Sequence, residues 1–266
     1  LGTGDVGTLA LIPSNFRASP ADVDSLPAAL ARSGKTTQFF GEQVWADFFG
    51  AHARGGDTDR DHGPFAGHRE KATTFGESLR SGSCDLCVWH EAEFDAVGHR
   101  SGVLSTEYME HARKIESHLL ELARGAGRGV TWMITSDHGM VDSGNHGGPQ
   151  PEARSSFLVT WGAGIQRDSP ASPPTLAQAD IVTTAAVLLG APIPFHSQGR
   201  LAPVLGQLSS GEHDALGAEL LLQKQRLVRG LRARFGEPGT PAPDSVDGCL
   251  DAIRRIQANT PLGALA

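Results

Sequence analysis

The chain is poor in the residues that mark several common protein classes. Only three of its 266 residues are cysteine, too few for a disulfide framework. No apolar run approaches the roughly 20 residues that a membrane-spanning helix needs, and the opening residues show no signal-peptide pattern. Basic charge is not in excess: 23 Lys and Arg face 30 Asp and Glu, a net charge of −7, which argues against a nucleic-acid surface. There is no Asn-x-Ser/Thr sequon to hint at a glycosylated compartment. The first residue is Leu rather than Met, leading straight into LGTGDVGTLAL, so the sequence is read as a piece of a longer protein.

Two of the cysteines, Cys84 and Cys87, form a CxxC within SGSCDLCVWH. No second CxxC exists to complete a zinc site. The pair falls in an expected strand, where positions i and i+3 point to opposite faces, and is read as two ordinary buried strand cysteines.

What the chain does contain is an alternation of short apolar runs and amphipathic segments. TTQFF (36–40), CDLCVWH (84–90), VTWMIT (130–135) and FLVTW (157–161) read as strands. Segments 22–32, 42–49, 107–123, 179–189 and 212–235 read as helices, several closed by glycine. Residues 50–67, rich in Gly, Asp, His and Arg, read as a loop, with His52, His62 and His68 as solvated histidines. Strand–helix alternation predicts an α/β sheet with helices on both faces, in which ligands gather at the carboxyl ends of the strands. The 39% hydrophobic content is enough for one large domain or two small ones.

The chemistry sits at those strand ends. Phe94-Asp95-Ala-Val-Gly-His99 follows the strand at 84–90, and Ser136-Asp137-His138-Gly follows VTWMIT, with Asn145-His146-Gly-Gly just beyond. Carboxylate oxygen and imidazole nitrogen suit borderline divalent metals such as zinc or manganese. Asp95, His99, Asp137, His138 and His146 are too many for one catalytic zinc with an open position. They fit two neighbouring ions of the kind that clamp the attacking and leaving oxygens in phosphoryl transfer. Asp142 is read as a turn residue.

Three stretches carry a family resemblance: DxxGH at 95–99, TSDHGM at 135–140 with the GxHG after it, and QADIVTTAAVLLGAPIPFHSQG at 178–199. They resemble the lumenal catalytic domain of the ethanolamine phosphate transferases of GPI-anchor synthesis, in the alkaline phosphatase superfamily. SNF (Ser14–Phe16), FFGEQVW (Phe39–Trp45) and LVTWGAGI (Leu158–Ile165) are similar to other segments of that family. The resemblance implies an alkaline-phosphatase-like three-layer α/β/α sandwich with a mostly parallel central sheet over residues 1–205. Residues 206–266 would be a helical extension leading toward membrane spans.

By the same resemblance, Asp95, His99 and His146 match the ligands of one metal, and Asp137 and His138 ligands of the second. An early Asp and a nucleophilic Thr complete that second site in the superfamily. Because Thr3-Gly4 looks like the family's Leu-x-Thr-Gly segment, which follows the nucleophile, both are expected upstream of Leu1. Ala96 departs from the family, many of whose members carry His there.

The function implied is transfer of phosphoethanolamine from phosphatidylethanolamine to a mannose of the GPI precursor, through a covalent Thr intermediate and two divalent ions. Zinc is the expected metal and manganese the other candidate. The full-length protein would lie in the endoplasmic reticulum membrane with this domain in the lumen, and a stabilising membrane subunit is a further expected partner. Two other readings remain open at this point. One is a soluble phosphodiesterase or nucleotide pyrophosphatase of the same superfamily. The other is a non-catalytic fragment that binds a glycolipid.

Overall fold

A computed structural model describes residues 24–58, 68–166, 174–205, 209–235 and 239–259. Thr3-Gly4, SNF and His62 lie outside the described residues. The chain divides into two compact units, one formed by residues 34–167 and the other by 1–33 with 168–266. The first described helix, α1 (Leu26–Arg32), belongs to the latter.

The unit of residues 34–167 is built on three parallel strands in the order β2–β1–β3. β1 (Thr37–Gly41) lies at the centre, between β2 (Arg54–Thr58) and β3 (Leu86–Trp89). Successive side chains on a strand face opposite sides, and β1 shows what that does here. Phe39 stacks on Phe49 of α2 (Gln43–Phe49), with ring centroids 5.3 Å apart. Its neighbour Phe40 points the other way, edge-on to Phe75 of α3 (His68–Ser81) at 5.2 Å. Phe40 is fully buried, and its cluster includes Ala72, Phe75, Leu122 and Trp132. A strand apolar on both faces with helices against each is the α/β arrangement that the alternation predicts.

Three details differ from the reading of the sequence. β2 lies inside the stretch 50–67 that reads as a loop. RGGDT has no apolar side chain, and its strand is defined by pairing beside β1, from Gln38↔Arg54 to Gly41↔Thr58. Cys84 and Cys87 are joined in a disulfide. β3 begins only at Leu86, so Cys84 precedes the strand, and a bend at Asp85 leaves the two Cα atoms 5.6 Å apart, within bridging reach. Finally, the last two strands do not join the parallel sheet. β4 (Thr131–Thr135) and β5 (Leu158–Gly162) pair antiparallel as a two-stranded sheet of their own.

The heads of β1 and β3 are tied together by one side chain. The Asp85 carboxylate accepts from the Thr36 amide at 2.8 Å and from its hydroxyl at 3.1 Å. The amide bond is the main reason this carboxyl is held below the usual aspartate range.

After β3 the chain turns into α4 (Glu93–Ser101) and then α5 (Thr106–Gly125), whose N-cap Ser105 accepts from the Tyr108 amide at 3.1 Å. Glu107 pairs with Arg100 and Ser101 at the junction of the two helices, an exposed contact of small energetic weight. A short helix, α6 (Pro151–Arg154), precedes β5.

The other unit is helical in its described parts. α7 (Gln178–Leu188) is fastened by Asp180, which accepts from the amides of Ala177 and Arg200 at 2.9 and 2.7 Å. α8 (Ser210–Phe235) packs on α9 (Val246–Asn259) through Leu227 and Val228 against Cys249, Leu250 and Ile253. α9 lies beyond the Pro/Gly-rich stretch and had no counterpart in the sequence reading; Ser245 caps it through the Gly248 amide at 3.2 Å. No described helix is long and apolar enough to cross a membrane.

One group in this unit sits against its own chemistry. Lys224 is fully buried, and its ammonium donates to the Ser197 carbonyl at 2.5 Å. Burial pushes it down from its ordinary 10.5 to about 8. The folded pKa is the lower one, so between pH 8 and 10.5 the unfolded chain binds more proton and stability rises with pH. Lys224→Met is expected to abolish that rise and to stabilise the protein by on the order of 2 kcal/mol near pH 7. Denaturant melts at pH 7 and pH 10 would measure both effects. The Ser197 carbonyl keeps the Gln223 amide at 3.3 Å in the variant.

Candidate metal centre

Each of the five residues flagged in the sequence belongs to the unit of residues 34–167. Asp95 and His99 are presented by α4 one turn apart, which puts both on one face of the helix. Their Oδ2 and Nε2 atoms are 3.4 Å apart. His146 arrives from the loop after β4, with Nε2 at 3.3 Å from Asp95 Oδ1. One donor atom from each of Asp95, His99 and His146 lies within 4.8 Å of the others.

His138 and Asp137 follow the end of β4 and border this group. His138 Nε2 is 3.6 Å from Asp137 Oδ2 and 4.0 Å from Asp95 Oδ1. The His138 ring stacks on that of His146, with centroids 3.8 Å apart. The five residues therefore form one continuous cluster. Asp142 lies in an exposed turn away from these contacts.

Close backbone approach makes the cluster possible. Gly144 is buried with φ +80°, and a Cβ there would overlap the carbonyl oxygen of Gly98 on α4. A side chain on Gly139 would meet the carbonyl oxygens of Glu152 and Ser155. The glycines of DxxGH and DHG thus sit where the loop after β4 lies against α4 and α6. The loop holds its own shape through Val141 N to Asn145 O at 2.9 Å and Gly144 N to Val141 O at 2.8 Å.

Do these residues fit metal ions? Asp95 Oδ1 is a buried oxygen with no hydrogen-bond partner, although three imidazole rings surround its carboxylate. An ion would satisfy it. Ligand atoms about 2.1 Å from a tetrahedral ion stand about 3.4 Å from one another, and the Asp95–His99 and Asp95–His146 separations match. His138 Nδ1 lies 3.0 Å from the Gly139 carbonyl. Because a carbonyl only accepts, Nδ1 carries the proton there, which leaves the Nε2 lone pair facing the aspartates. The donor set and its orientation suit divalent cations.

Next to the cluster, Tyr108 packs edge-on to Phe94 at 5.0 Å. Burial, aided by the Asp95 charge, raises its pKa above the usual tyrosine value, so it stays a neutral hydroxyl. A further group of ligating type, Glu91, Glu93 and His111, did not figure in the sequence reading. Its signal was the alternation of acids in HEAEF directly after a strand.

Residues 34–151 match the family model described as type I phosphodiesterase / nucleotide pyrophosphatase, a span that holds all five cluster residues. Among curated proteins, the chain is 27% identical over 226 residues to the human "GPI ethanolamine phosphate transferase 3, catalytic subunit", and 29% identical over 223 residues to its mouse counterpart. Each match covers 81% of this chain and 20% of the relative. A GPI ethanolamine phosphate transferase 2 of Eremothecium gossypii is 24% identical over 264 residues, covering 89% of this chain and 31% of the relative. The chain thus spans about a fifth of the length of the first two. Residues 34–151 are thus similar to the type I phosphodiesterase / nucleotide pyrophosphatase family, within a chain that is similar over most of its length to part of the GPI ethanolamine phosphate transferases.

Proposed function

We propose that the Asp95 centre binds two divalent ions, with zinc preferred over manganese, and serves transfer of phosphoethanolamine from phosphatidylethanolamine to a mannose of a GPI precursor. The observation that carries this reading is the convergence of Asp95 Oδ1, a buried oxygen without a hydrogen bond, with the Nε2 atoms of His138 and His146. Asp95, His99 and His146 would hold one ion, and Asp137 and His138 the other. Bound ions would polarise the phosphodiester and neutralise the charge that develops on its oxygens.

The protein's own part is positioning. α4 fixes the Asp95–His99 pair, and the Gly139 carbonyl fixes the tautomer of His138. The Gly98–Gly144 approach sets the distance of His146 from Asp95. The covalent intermediate would form on a nucleophilic threonine, as the family resemblance implies. The Cys84–Cys87 bridge fits an oxidising compartment, in keeping with a lumenal placement in the endoplasmic reticulum. The names of the relatives support a GPI-pathway substrate, and a stabilising membrane subunit is part of the same reading.

A second reading is favoured by the family model's description: the same centre would hydrolyse a phosphodiester, with water as acceptor. Incubating the metal-loaded full-length protein with phosphatidylethanolamine and a GPI-precursor glycolipid separates the two. Transfer puts phosphoethanolamine on the glycolipid, whereas hydrolysis releases it free. If neither product forms while the glycolipid still binds, the non-catalytic reading takes over.

His146→Ala tests the centre itself. Zinc content of the full-length variant, by elemental analysis, is expected to fall by at least half of the occupancy at the Asp95 ion. Unchanged content would remove His146 from the site.

A further inference from the structure

Between the end of α7 and α8 lies a cavity of about 310 Å3. Val187, Ala191, Ile193 and Leu216 give it apolar walls, and Asp24, just before α1, borders it. Its lining residues on α8, at positions 216, 219, 223 and 226, recur at spacings of three and four, so one face of that helix forms a wall. All of these residues belong to the helical unit, 1–33 with 168–266. The facing wall is pinned in place. Gln223 Nε2 donates to the carbonyls of Pro194 at 3.2 Å, Phe195 at 2.5 Å and Ser197 at 3.3 Å. The Phe195 amide donates in turn to Asp24 Oδ2 at 2.9 Å. Pro192 and Pro194, whose rings fix φ, stiffen the same segment. The cavity is therefore formed before any ligand arrives.

Two observations define the occupant. Gln223 is only 7% exposed, and its amide nitrogen is committed to carbonyls, which fixes the orientation of the amide. Its Oε1 is left buried with no hydrogen-bond partner among the described residues. A buried acceptor without a donor is costly, and a donor carried by a ligand removes that cost. The charge in the wall, by contrast, is already matched. The Asp24 carboxylate takes both Arg32 nitrogens, at 2.8 and 3.1 Å, besides the Phe195 amide. Glu219 and Arg226, of opposite sign, are exposed. A neutral ligand with one donor suits this site better than an ion, whose desolvation nothing here offsets. At about 30 Å3 per heavy atom, a water's share of liquid volume, the cavity holds about ten such atoms.

We propose that this cavity binds a neutral alkyl alcohol of about nine carbons, its chain against Val187, Ile193 and Leu216 and its hydroxyl donating to Gln223 Oε1. The site makes no use of the Asp95 centre, so it stands or falls apart from the phosphoethanolamine reading.

The test is photolabelling of the full-length protein with a diazirine-bearing alkyl alcohol of that length, followed by peptide mapping. Cross-links are expected within 187–195 and 216–226, the two walls. Ala191→Phe fills the cavity from one wall and Leu216→Trp from the other, and each is expected to lower that labelling by about 10-fold or more. Leu222→Trp, at an exposed residue of α8 outside the cavity, should label like wild type. Thermal melts check that each variant folds. Competition at matched free concentration then reads the head group. 1-Nonanol is expected to compete about 10-fold better than octyl methyl ether, which has as many heavy atoms but no donor. Labelling that ignores both filling variants, or that falls only elsewhere in the chain, overturns the site. Equal competition by the ether, or stronger competition by nonylammonium, overturns the pairing of a neutral donor with Gln223.

Discussion

Gly144→Ala is expected to detach His146 from Asp95 and to destabilise the protein by about 3 kcal/mol or more. Two costs combine. Gly144 sits at φ +80°, a conformation that costs an L-residue about 1–2 kcal/mol. Its new Cβ would also overlap the backbone carbonyl of Gly98, which has no rotamer by which to yield. The loop must therefore lift off α4, and His146, two residues on, moves with it. For a chain of this size the melting temperature should fall by about 6–12 °C, with zinc affinity lowered in parallel. Gly127→Ala is the control: no atom lies within 4 Å of a Cβ there, and its melting temperature should match wild type. A Gly144→Ala protein with wild-type melting and zinc binding would mean that the close approach of loop and helix does not hold the site.

Asp95→Ala should have the largest effect on chemistry. Its carboxylate is the one group that faces His99, His138 and His146 together. Substituting mere supporting partners of metal ligands commonly costs 10–100-fold in affinity or activity. Loss of Asp95 is therefore expected to weaken zinc binding by about 100-fold or more and to take activity of the full-length enzyme below about 1%. The fold itself should survive, since the Asp95 side chain is 44% exposed and closes no apolar cluster. Metal-free wild type and Asp95→Ala should then melt within about 0.5 kcal/mol of each other, while only wild type gains stability from added zinc. Isothermal titration and thermal melts with and without zinc measure the pair of effects. Equal zinc affinity in both proteins would displace Asp95 from the centre.

How far the sequence revealed this depends on the type of signal. β1, β3, β4 and β5 were legible because their apolar residues form short dense runs. β2 was not, because RGGDT has no hydrophobic pattern and is a strand by virtue of its neighbour's backbone. On α5, Leu122 is buried, whereas Leu120, two residues before it, is 47% exposed. His111 took a buried place on that helix, where a polar residue gives no hydrophobic cue. The disulfide was missed because the strand was drawn two residues too early, which aimed the cysteines apart.

For the candidate site, residue types and their places after strands were readable. That the segment after β4 folds back on α4 was not, since it depends on Gly98 and Gly144 meeting across 46 positions of chain. The motif glycines carried that information, but a glycine in a sequence does not say which backbone it must admit.

The Cys84–Cys87 bridge has a consequence for any count of bound metal. Closing so short a loop removes little chain entropy from the unfolded state compared with a long-range crosslink. What it does remove is a pair of thiols from the same unit that holds the Asp95 cluster of histidines and aspartates. Thiolates compete strongly for zinc, so the oxidised bridge leaves imidazole and carboxylate as the ligands on offer. Protein handled in strong reductant would regain a dithiol chelator at the head of β3. Zinc measured in such a sample would be divided between that chelator and the Asp95 centre.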